Sequence, residues 1–428
     1  MKIKTYCAVL LSVVLQWAYA EVPSDTKPRV LVSTDIGGTD PDDNQSMIHL
    51  LMYSDMFDIE GLVSSPSFGE GSKTEILKMI DLYEQDFPKL KAHSPAFMHP
   101  DSLRALCKQG HKGMFALNGY GEPTEGSEWI VKCARKKDER PLWILVWGTL
   151  EDVAQALYDA PDIVPKIRVY WIGGPNKKWG VNSYCYIADA FHDLWMIENN
   201  ASYRGFIADD KKDDIFNRQY YACCIEGAGA MGADFKTYYN GSIKMGDSPS
   251  LFYLMNGNPM QSAGESWGGS FVKTTFSPRT VFRRHTSLLD TVAIYSVIEF
   301  RFKGQTVDRD TDKPCFTLHI DNQSWDGYYA GNGEYVARYS PKAPAVLSYT
   351  ISSEITELNG GAGKFVVDSL WPGKPTEGSY PLGDNWYTDK DEPVLFEGKW
   401  QGAKTVEKWR NDVLADWSNR WAWLRNAR

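Results

Sequence analysis

The sequence has 428 residues, of which 43% are hydrophobic and 24% are charged, and this length allows two or three folded domains. The formal net charge is −9, an acidic balance that argues against nucleic-acid binding. The seven cysteines include no CxxC pair, which argues against a zinc site and against a dense disulfide framework.

Residues 1–20 have the features of a secretory signal peptide. Lys2 and Lys4 precede an apolar run from Ala8 to Leu15, and Ala18-Tyr19-Ala20 supplies the small residues that a signal peptidase reads. Cleavage after this segment would change the net charge to −11, because it removes two lysines and no acidic residue. No later stretch approaches twenty consecutive apolar residues, so we expect a secreted or periplasmic protein without a membrane-spanning segment.

Residues 27–275 are predicted to form an α/β domain, because short apolar strands alternate with helices. The predicted strands are Arg29–Ser33, Ile59–Ser64, Pro141–Trp147, Ile167–Gly174 and Leu194–Glu198, and the predicted helices are Asp43–Tyr53, Ser72–Asp86 and Leu150–Tyr158. This order indicates a Rossmann-like, mostly parallel sheet with helices on both faces. Ligands of such sheets bind outside the carboxyl ends of the strands, where Asp35 and Glu198 lie.

Residues 298–372 are predicted to form a small antiparallel β-sandwich. Alternating segments separated by Gly, Asn and Pro indicate its strands: Cys315–Ile320, Glu334–Tyr339, Ala345–Ser352 and Lys364–Trp371. Residues 400–428 are predicted to form a C-terminal helix with an apolar stripe on one side. The stripe consists of Val406, Trp409, Val413, Trp417 and Trp421. A stripe this aromatic must be buried, and we expect it to pack on the α/β domain.

Four aspartates follow the first predicted strand within nine positions: Asp35, Asp40, Asp42 and Asp43. Like charges at this spacing repel one another unless a cation, a proton or a polyhydroxylated ligand relieves them. Helix capping does not account for the cluster, because one aspartate is enough to cap the helix that follows. Ligand sets made only of oxygen favour Ca²⁺ or Mg²⁺ over transition metals, so the pattern predicts a site for one of these ions.

The stretches Ser33–Ser46 and Leu51–Leu62 resemble a group of exported bacterial proteins, the cellulose-binding proteins with a nucleoside-hydrolase-like domain. Further matching motifs are Pro123–Val131, Leu142–Leu157, Gly246–Leu254 and Glu265–Phe271. More distantly, the strand with its Asp-rich turn resembles the D-x-D-P-G-x-D-D signature of calcium-dependent, inosine-uridine-preferring nucleoside hydrolases. The resemblance implies a sheet of the nucleoside-hydrolase type, Ca²⁺ as cofactor, a small sugar or oligosaccharide as substrate, and a homo-oligomer.

The resemblance also implies roles for individual residues. Asp35 would be both a calcium ligand and the base that orients the attacking water, and Asp40 is the alternative for this position. Asp43 and Asp247 match further calcium ligands. Glu151 falls where the hydrolases have a threonine that ligates calcium, so either its side chain or a main-chain carbonyl would serve there. A carboxylate beside a metal-activated water is chemically suited to accept a proton near neutral pH.

Four residues are candidates for binding the sugar. Asp42 is implied to hold ribosyl-type hydroxyls, and Glu198 and Asn200 match the E-x-N element that does so in the hydrolases. The alternatives there are an ordinary loop or a glycosylation sequon, since Asn200-Ala201-Ser202 fits one. Trp267 is a candidate for stacking on a sugar ring, and the alternative is a core tryptophan.

Gly246 replaces the histidine that helps the nucleobase to leave in the hydrolases. A furanoside or a carbohydrate-linked leaving group is therefore favoured over a nucleoside, and the sequence predicts an exported, calcium-dependent glycoside or N-glycoside hydrolase. The alternative is a non-catalytic, cellulose-like glycan-binding protein with a structural calcium site. A phosphatase of the haloacid-dehalogenase type is disfavoured, because Gly37 stands where that chemistry needs a second aspartate.

Overall fold

The computed structural model describes residues 27–207 and 219–425, and the predicted signal peptide lies outside these ranges. Within them, no helix combines the length and the apolar character needed to cross a bilayer. The strands are β1 (Arg29–Thr34), β2 (Asp58–Ser64), β3 (Cys107–Gln109), β4 (Leu142–Val146), β5 (Ile167–Ile172), β6 (Met196–Asn199), β7 (Phe271–Lys273), β8 (Phe276–Ser277), β9 (Arg279–Phe282), β10 (Thr291–Ala293), β11 (Val297–Lys303), β12 (Pro314–Ile320), β13 (Gln323–Gly331), β14 (Glu334–Tyr339), β15 (Ala345–Ser353), β16 (Ala362–Asp368), β17 (Tyr380–Pro381) and β18 (Trp386–Asp389).

The α-helices of the described ranges are α1 (Asp42–Met52), α2 (Lys73–His93), α3 (Pro100–Leu106), α4 (Glu125–Ala134), α5 (Glu151–Asp159), α6 (Gly174–Trp179), α7 (Val181–Ala190), α8 (Gly229–Phe235), α9 (Ser248–Met255), α10 (Lys404–Glu407) and α11 (Arg410–Leu424). Local chemistry explains several of these boundaries. The Ser72 side chain caps α2 by accepting a hydrogen bond from the main-chain N–H of Glu75. Thr124 and Ser127 form a reciprocal capping box at the start of α4.

The main sheet has the strand order β3-β2-β1-β4-β5-β6-β18-β7. Its strands run parallel except at the edge, where β7 pairs antiparallel with β18. One hydrophobic core, which includes Met47 of α1 and Ile76 of α2, covers one face, and a second core with Val153 of α5 and Tyr184 of α7 covers the other. The predicted parallel α/β sheet with helices on both faces is confirmed. The strand order reverses between β1 and β4, which makes the crevice at their carboxyl ends the topological switch point.

Strand β18 reaches the main sheet from a distant part of the sequence. It pairs parallel with β6, and the Asp389 carboxylate accepts hydrogen bonds from the main-chain N–H groups of Asn200, Ala201 and Ser202 at 2.8–3.0 Å. Residues 27–275 therefore do not complete this sheet by themselves.

The predicted second β region is confirmed as an eight-stranded, mainly antiparallel sheet. Its strand order is β10-β16-β15-β12-β13-β14-β11-β9, and it starts at Arg279. Phe300, Leu318 and Phe365 lie in a core of its own. The aromatic pattern at the C-terminus folds as two helices, α10 and α11, and Trp417 of α11 is fully buried in the same core as Met47.

Candidate functional site

A cavity of about 340 Å³ opens at the carboxyl ends of the central strands. Asp35 follows β1, Ser67 and Phe68 follow β2, Trp147 follows β4, and Asn176 lies in α6 directly after β5. Side chains that are far apart in the sequence meet here because parallel strands deliver their carboxyl ends to one edge of the sheet. This is the switch point at which open α/β sheets bind ligands.

Five carboxylates line the cavity, and the four that lie inside its rim are called the acidic group below: Asp35, Asp42, Asp43 and Asp247. One oxygen from each of Asp42, Asp43 and Asp247 lies within 4.8 Å of the others. Asp43 also accepts a hydrogen bond from the Thr34 hydroxyl, and a hydrogen bond joins the Asp35 and Asp43 carboxyls when one of them carries a proton. The structure thus brings together the predicted residues from the first turn and from position 247.

The side chain of Gln45 holds the distant residue Asp247 beside α1. Its amide nitrogen donates to the carbonyl of Ser242 at 2.8 Å, and its amide oxygen accepts from the main-chain N–H of Lys244 at 2.8 Å. The first turn of α9 is tied to the end of β4 as well, because Trp147 donates to the Ser250 hydroxyl at 2.8 Å. Gln45 is fully buried, so this attachment is part of the core.

The acidic group is electrostatically unfavourable when all of its members are ionised. Burial raises the pKa of Asp35 to about 6, while its hydrogen bonds with Asp43 and Ser67 act in the opposite direction. Burial, and then repulsion by neighbouring aspartates, hold the pKa values of Asp42, Asp43 and Asp247 well above their usual range. Two buried, like-charged carboxylates are stable side by side only when a proton or a cation intervenes.

The acidic group fits a divalent cation that prefers oxygen ligands. Asp247 is 3% exposed, yet its Oδ2 atom has no hydrogen-bond partner within the described ranges. A buried carboxylate oxygen without a partner is costly, and an ion coordinated by it would remove that cost. Gly246 leaves room for this arrangement, because a Cβ atom at this position would lie 2.6 Å from Oδ2 of Asp42.

Asp40 lies at the rim of the cavity and is occupied by other contacts. Its carboxylate lies 2.7 Å from the Lys244 ammonium and accepts a hydrogen bond from the Tyr239 hydroxyl. The positive charge of Lys244 also opposes the rise in the pKa of Asp42. Asp40 is therefore engaged by Lys244 and Tyr239 at the rim, whereas Asp35 lies within the acidic group.

Glu198 and Asn200 are not brought to the cavity. The Glu198 carboxylate forms a buried ion pair with Lys177 and accepts hydrogen bonds from Tyr184 and Asn200, both at 2.9 Å. The Asn200 amide oxygen accepts the main-chain N–H of Gly174 at 2.9 Å. These polar groups are satisfied inside the protein, so they hold the ends of β5 and β6 in place. Asn200 is also fully buried, which excludes the surface loop that a glycosylation sequon requires.

Glu151 and Trp267 also lie outside the cavity lining. The Glu151 carboxylate is fully buried, and Oε2 lies 3.0 Å from the Cβ position of Gly180, next to Thr149. Burial raises the pKa of Glu151 to about 8. Trp267 is half-buried and packs against the hydrophobic core that contains Met47. Its placement agrees with the alternative of a core tryptophan.

The cavity contains further residues that the sequence did not single out. Aromatic walls are formed by Phe68, Trp147, Trp179 and Tyr203, and further polar or charged side chains are Asn176, Arg204, Gln323 and Lys342. The position of Trp147 at the end of a predicted strand was a usable signal. Gln323 and Lys342 belong to the second sheet, and nothing in their local sequence points to a site 280 or more positions away from Asp35.

The fold and the acidic group define an α/β protein with a candidate metal-dependent site at its switch point. Residues 29–271 match the family described as cellulose-binding Sde182, nucleoside hydrolase-like domain. The match covers more than half of the chain, and the protein belongs to this family, as predicted. Residues 291–354 match a domain family of unknown function, DUF5060. No curated protein matches the chain.

Several solved structures of nucleoside hydrolases and a related protein are similar to this chain. A nucleoside hydrolase-related hypothetical protein from Saccharophagus degradans, described as associated with carbohydrate metabolism, is 18% identical with a TM-score of 0.50, and the match covers 80% of this chain and 100% of that one. An inosine-uridine preferring nucleoside hydrolase from Bacillus anthracis is 14% identical with a TM-score of 0.37, over 60% of this chain and 87% of that one. The plant nucleoside hydrolase PpNRh1 is 11% identical with a TM-score of 0.36, over 58% and 84% of the two chains. The first of these likenesses indicates a shared fold.

Proposed function

We propose that the protein is an exported, calcium-dependent glycoside or N-glycoside hydrolase that acts on a furanose-type or polysaccharide-derived sugar. The observation that carries this proposal is the meeting of Asp42, Asp43 and Asp247 within 4.8 Å of one another, beside Asp35, in a cavity at the switch point. Membership of a nucleoside-hydrolase-like family supports it.

In this proposal, Asp42, Asp43 and Asp247 hold the ion, and Asp35 accepts the proton of the attacking water. The bound ion would supply charge neutralisation and polarisation of a water molecule. A carboxylate whose pKa lies at about 6 is ionised at neutral pH and still basic enough to take a proton. The hydroxyl of Ser67 contacts Asp35 and donates to the amide oxygen of Asn176 at 2.9 Å, which orients this edge of the site.

The departing group receives no proton from position 246, because glycine stands there. Under this proposal, the best substrate is therefore one whose leaving group departs without protonation by the enzyme. Activated aryl furanosides meet this condition, since a nitrophenolate is a stable anion.

Non-catalytic glycan binding is the second candidate function. Gly246 and the description of the family as cellulose-binding favour it. Both candidate functions use the same cavity, and they differ only in whether Asp35 promotes hydrolysis of the bound sugar.

The deciding experiment compares wild type with Asp35→Asn on p-nitrophenyl furanosides, nucleosides and oligosaccharides in the presence of calcium. Hydrolysis predicts that the variant loses about 10²–10⁴-fold in turnover while it retains sugar affinity, the usual contribution of a general base. Asp101→Asn, at a surface aspartate of α3, is the matched control and should retain full turnover. If wild type cleaves no substrate while a polysaccharide retards it in an affinity gel, the binding function stands and hydrolysis is refuted.

A further inference from the structure

The second sheet contributes polar side chains to the cavity wall. Gln323 begins β13, and Lys342 lies in the loop between β14 and β15. This loop is anchored, because the carbonyl of Pro341 accepts a hydrogen bond from the main-chain N–H of the buried residue Tyr295 at 2.8 Å. Lys342 is therefore an exposed cation on a fixed support at the edge of the cavity.

Lys342 forms no ion pair or hydrogen bond with any residue of the described ranges. The acidic neighbour on this side, Asp321, is already paired with Lys178 at 3.1 Å. The positive charge of Lys342 is also felt by Lys178, since it contributes to lowering the pKa of that lysine. Together with Lys178 of α6, this wall thus carries two positive charges against the one carboxylate of Asp321.

The amide of Gln323 is oriented by the same lysine. A lysine ammonium can only donate hydrogen bonds, so the atom that faces Lys178 must be the amide oxygen of Gln323. The amide nitrogen of Gln323 is then left as a donor. A donor and a cation from one wall are the two groups that recognise an anion.

The part of the cavity wall formed by Lys342 and Gln323 is distinct from the acidic group. Lys244, from the segment before α9, is the cation that opposes the rise in the pKa of Asp42. Aromatic rings also line the cavity: Trp179 lies 4.7 Å from Phe68, and it lies 4.9 Å from Trp325 of the second sheet, measured between ring centroids. A sugar ring can stack on such a surface.

We infer that the protein acts on an acidic saccharide, whose carboxylate or sulfate group is bound by Lys342 and Gln323 of the second sheet. This inference rests on the proposed sugar-binding function of the cavity. Under this inference, the region matched by DUF5060 has a role in substrate selection. A neutral saccharide would leave the positive charge of Lys342 without a counter-charge, whereas an acidic one would form a charge-assisted hydrogen bond with it.

The test uses three matched cello-oligosaccharides that are unmodified, oxidised at C6 to the carboxylate, or sulfated at C6. Dissociation constants are measured by calorimetry on the full chain in calcium at constant ionic strength, for wild type, Lys342→Ala and Lys342→Arg. Lys137→Ala is the control, because Lys137 is an exposed lysine in the loop before β4, at the opposite edge of the main sheet.

Wild type should bind one or both of the charged oligosaccharides about tenfold tighter than the neutral one, the usual gain from one charge-assisted hydrogen bond. Lys342→Ala should remove most of this preference, whereas Lys342→Arg and Lys137→Ala should keep it. The preference should also weaken as salt is added. Which of the two charged sugars is preferred identifies the anion.

Equal binding of all three sugars by wild type, no binding of any, or an unchanged preference in Lys342→Ala would overturn the inference. Failure of the proposed hydrolysis has a different signature, because affinity is measured without turnover and can be repeated in Asp35→Asn. A charge preference that depends on Lys342 in a protein without hydrolytic activity would refute hydrolysis and leave the acidic-saccharide site standing.

Discussion

Replacing Asp247 by asparagine should stabilise the protein in the absence of divalent cations and remove its stabilisation by calcium. Asp247 is buried, and repulsion from Asp42 and Asp35 helps to raise its pKa. Asparagine has nearly the same shape and no charge, so the variant relieves this repulsion. The substitution does not remove a helix cap, because the Asp247 side chain makes no capping hydrogen bond to α9.

The structure sets the size of the effect. Two unit charges 4.8 Å apart, the spacing within which the carboxylate oxygens lie, repel by about 3.5 kcal/mol at an effective dielectric constant of 20. For a chain of 428 residues this corresponds to a rise in Tm of about 4 °C in the cation-free variant. Calcium at 100 times its dissociation constant would stabilise wild type by about 2.7 kcal/mol, or about 3 °C.

The effect of calcium should grow with pH. The folded state raises the pKa values of Asp35, Asp43 and Asp247, so it binds protons more tightly than the unfolded chain does. Stability of the cation-free protein is therefore greatest below the unfolded pKa of aspartate, at about 4, and is lost as the pH rises through about 6 and above. Calcium replaces the missing protons, so its stabilising effect should be small at pH 5 and larger at pH 8.

Scanning calorimetry of wild type, Asp247→Asn and Asp101→Asn, each with EDTA or calcium at pH 5 and pH 8, checks these expectations. The Asp101→Asn control should respond to calcium as wild type does. The reasoning is refuted if calcium stabilises Asp247→Asn as much as wild type, or if the cation-free variant melts below cation-free wild type at pH 8.

Three further outcomes are expected. Gly246→Ala should weaken the calcium-induced rise in Tm, because its Cβ atom would come within 2.6 Å of Oδ2 of Asp42 and displace that carboxylate; calcium titration followed by calorimetry measures this. Glu198→Gln should destabilise the fold by about 3–5 kcal/mol in denaturant titrations, because it leaves the ammonium of Lys177 buried without a counter-charge, and it should leave the calcium response intact. Glu151→Gln should match wild type at about pH 4 and melt increasingly above it as the pH rises from about 4.5 to about 8, because the folded state keeps a proton on Glu151 over this range that the unfolded chain has lost, and the amide carries no such cost; melting curves between pH 4 and pH 9 test this.

Local sequence determined the central strands of the main sheet, the second β region and the part of the acidic group that follows β1. Apolar runs bounded by turn residues fix where β1, β2, β4 and β5 lie, since each strand is buried on both faces and its pattern is independent of distant residues. Asp35, Asp42 and Asp43 could be assigned because they lie within one turn directly after β1. Family resemblance added Asp247, which no local pattern connects to that turn.

Only the tertiary structure decided which polar residues face the cavity and which stay inside the protein. Glu198 and Asn200 stand at a strand end as a ligand-binding pair would, but Glu198 binds Lys177 and Tyr184 within the core. Asn200 in turn hydrogen-bonds with Glu198 and with the main chain of Gly174. Lys342 has no local signature, and it reaches the cavity because the second sheet packs beside α6. Strand position is encoded by periodicity over a few residues, whereas the partner of a buried charge is set by whichever distant side chain the packing brings within hydrogen-bonding distance.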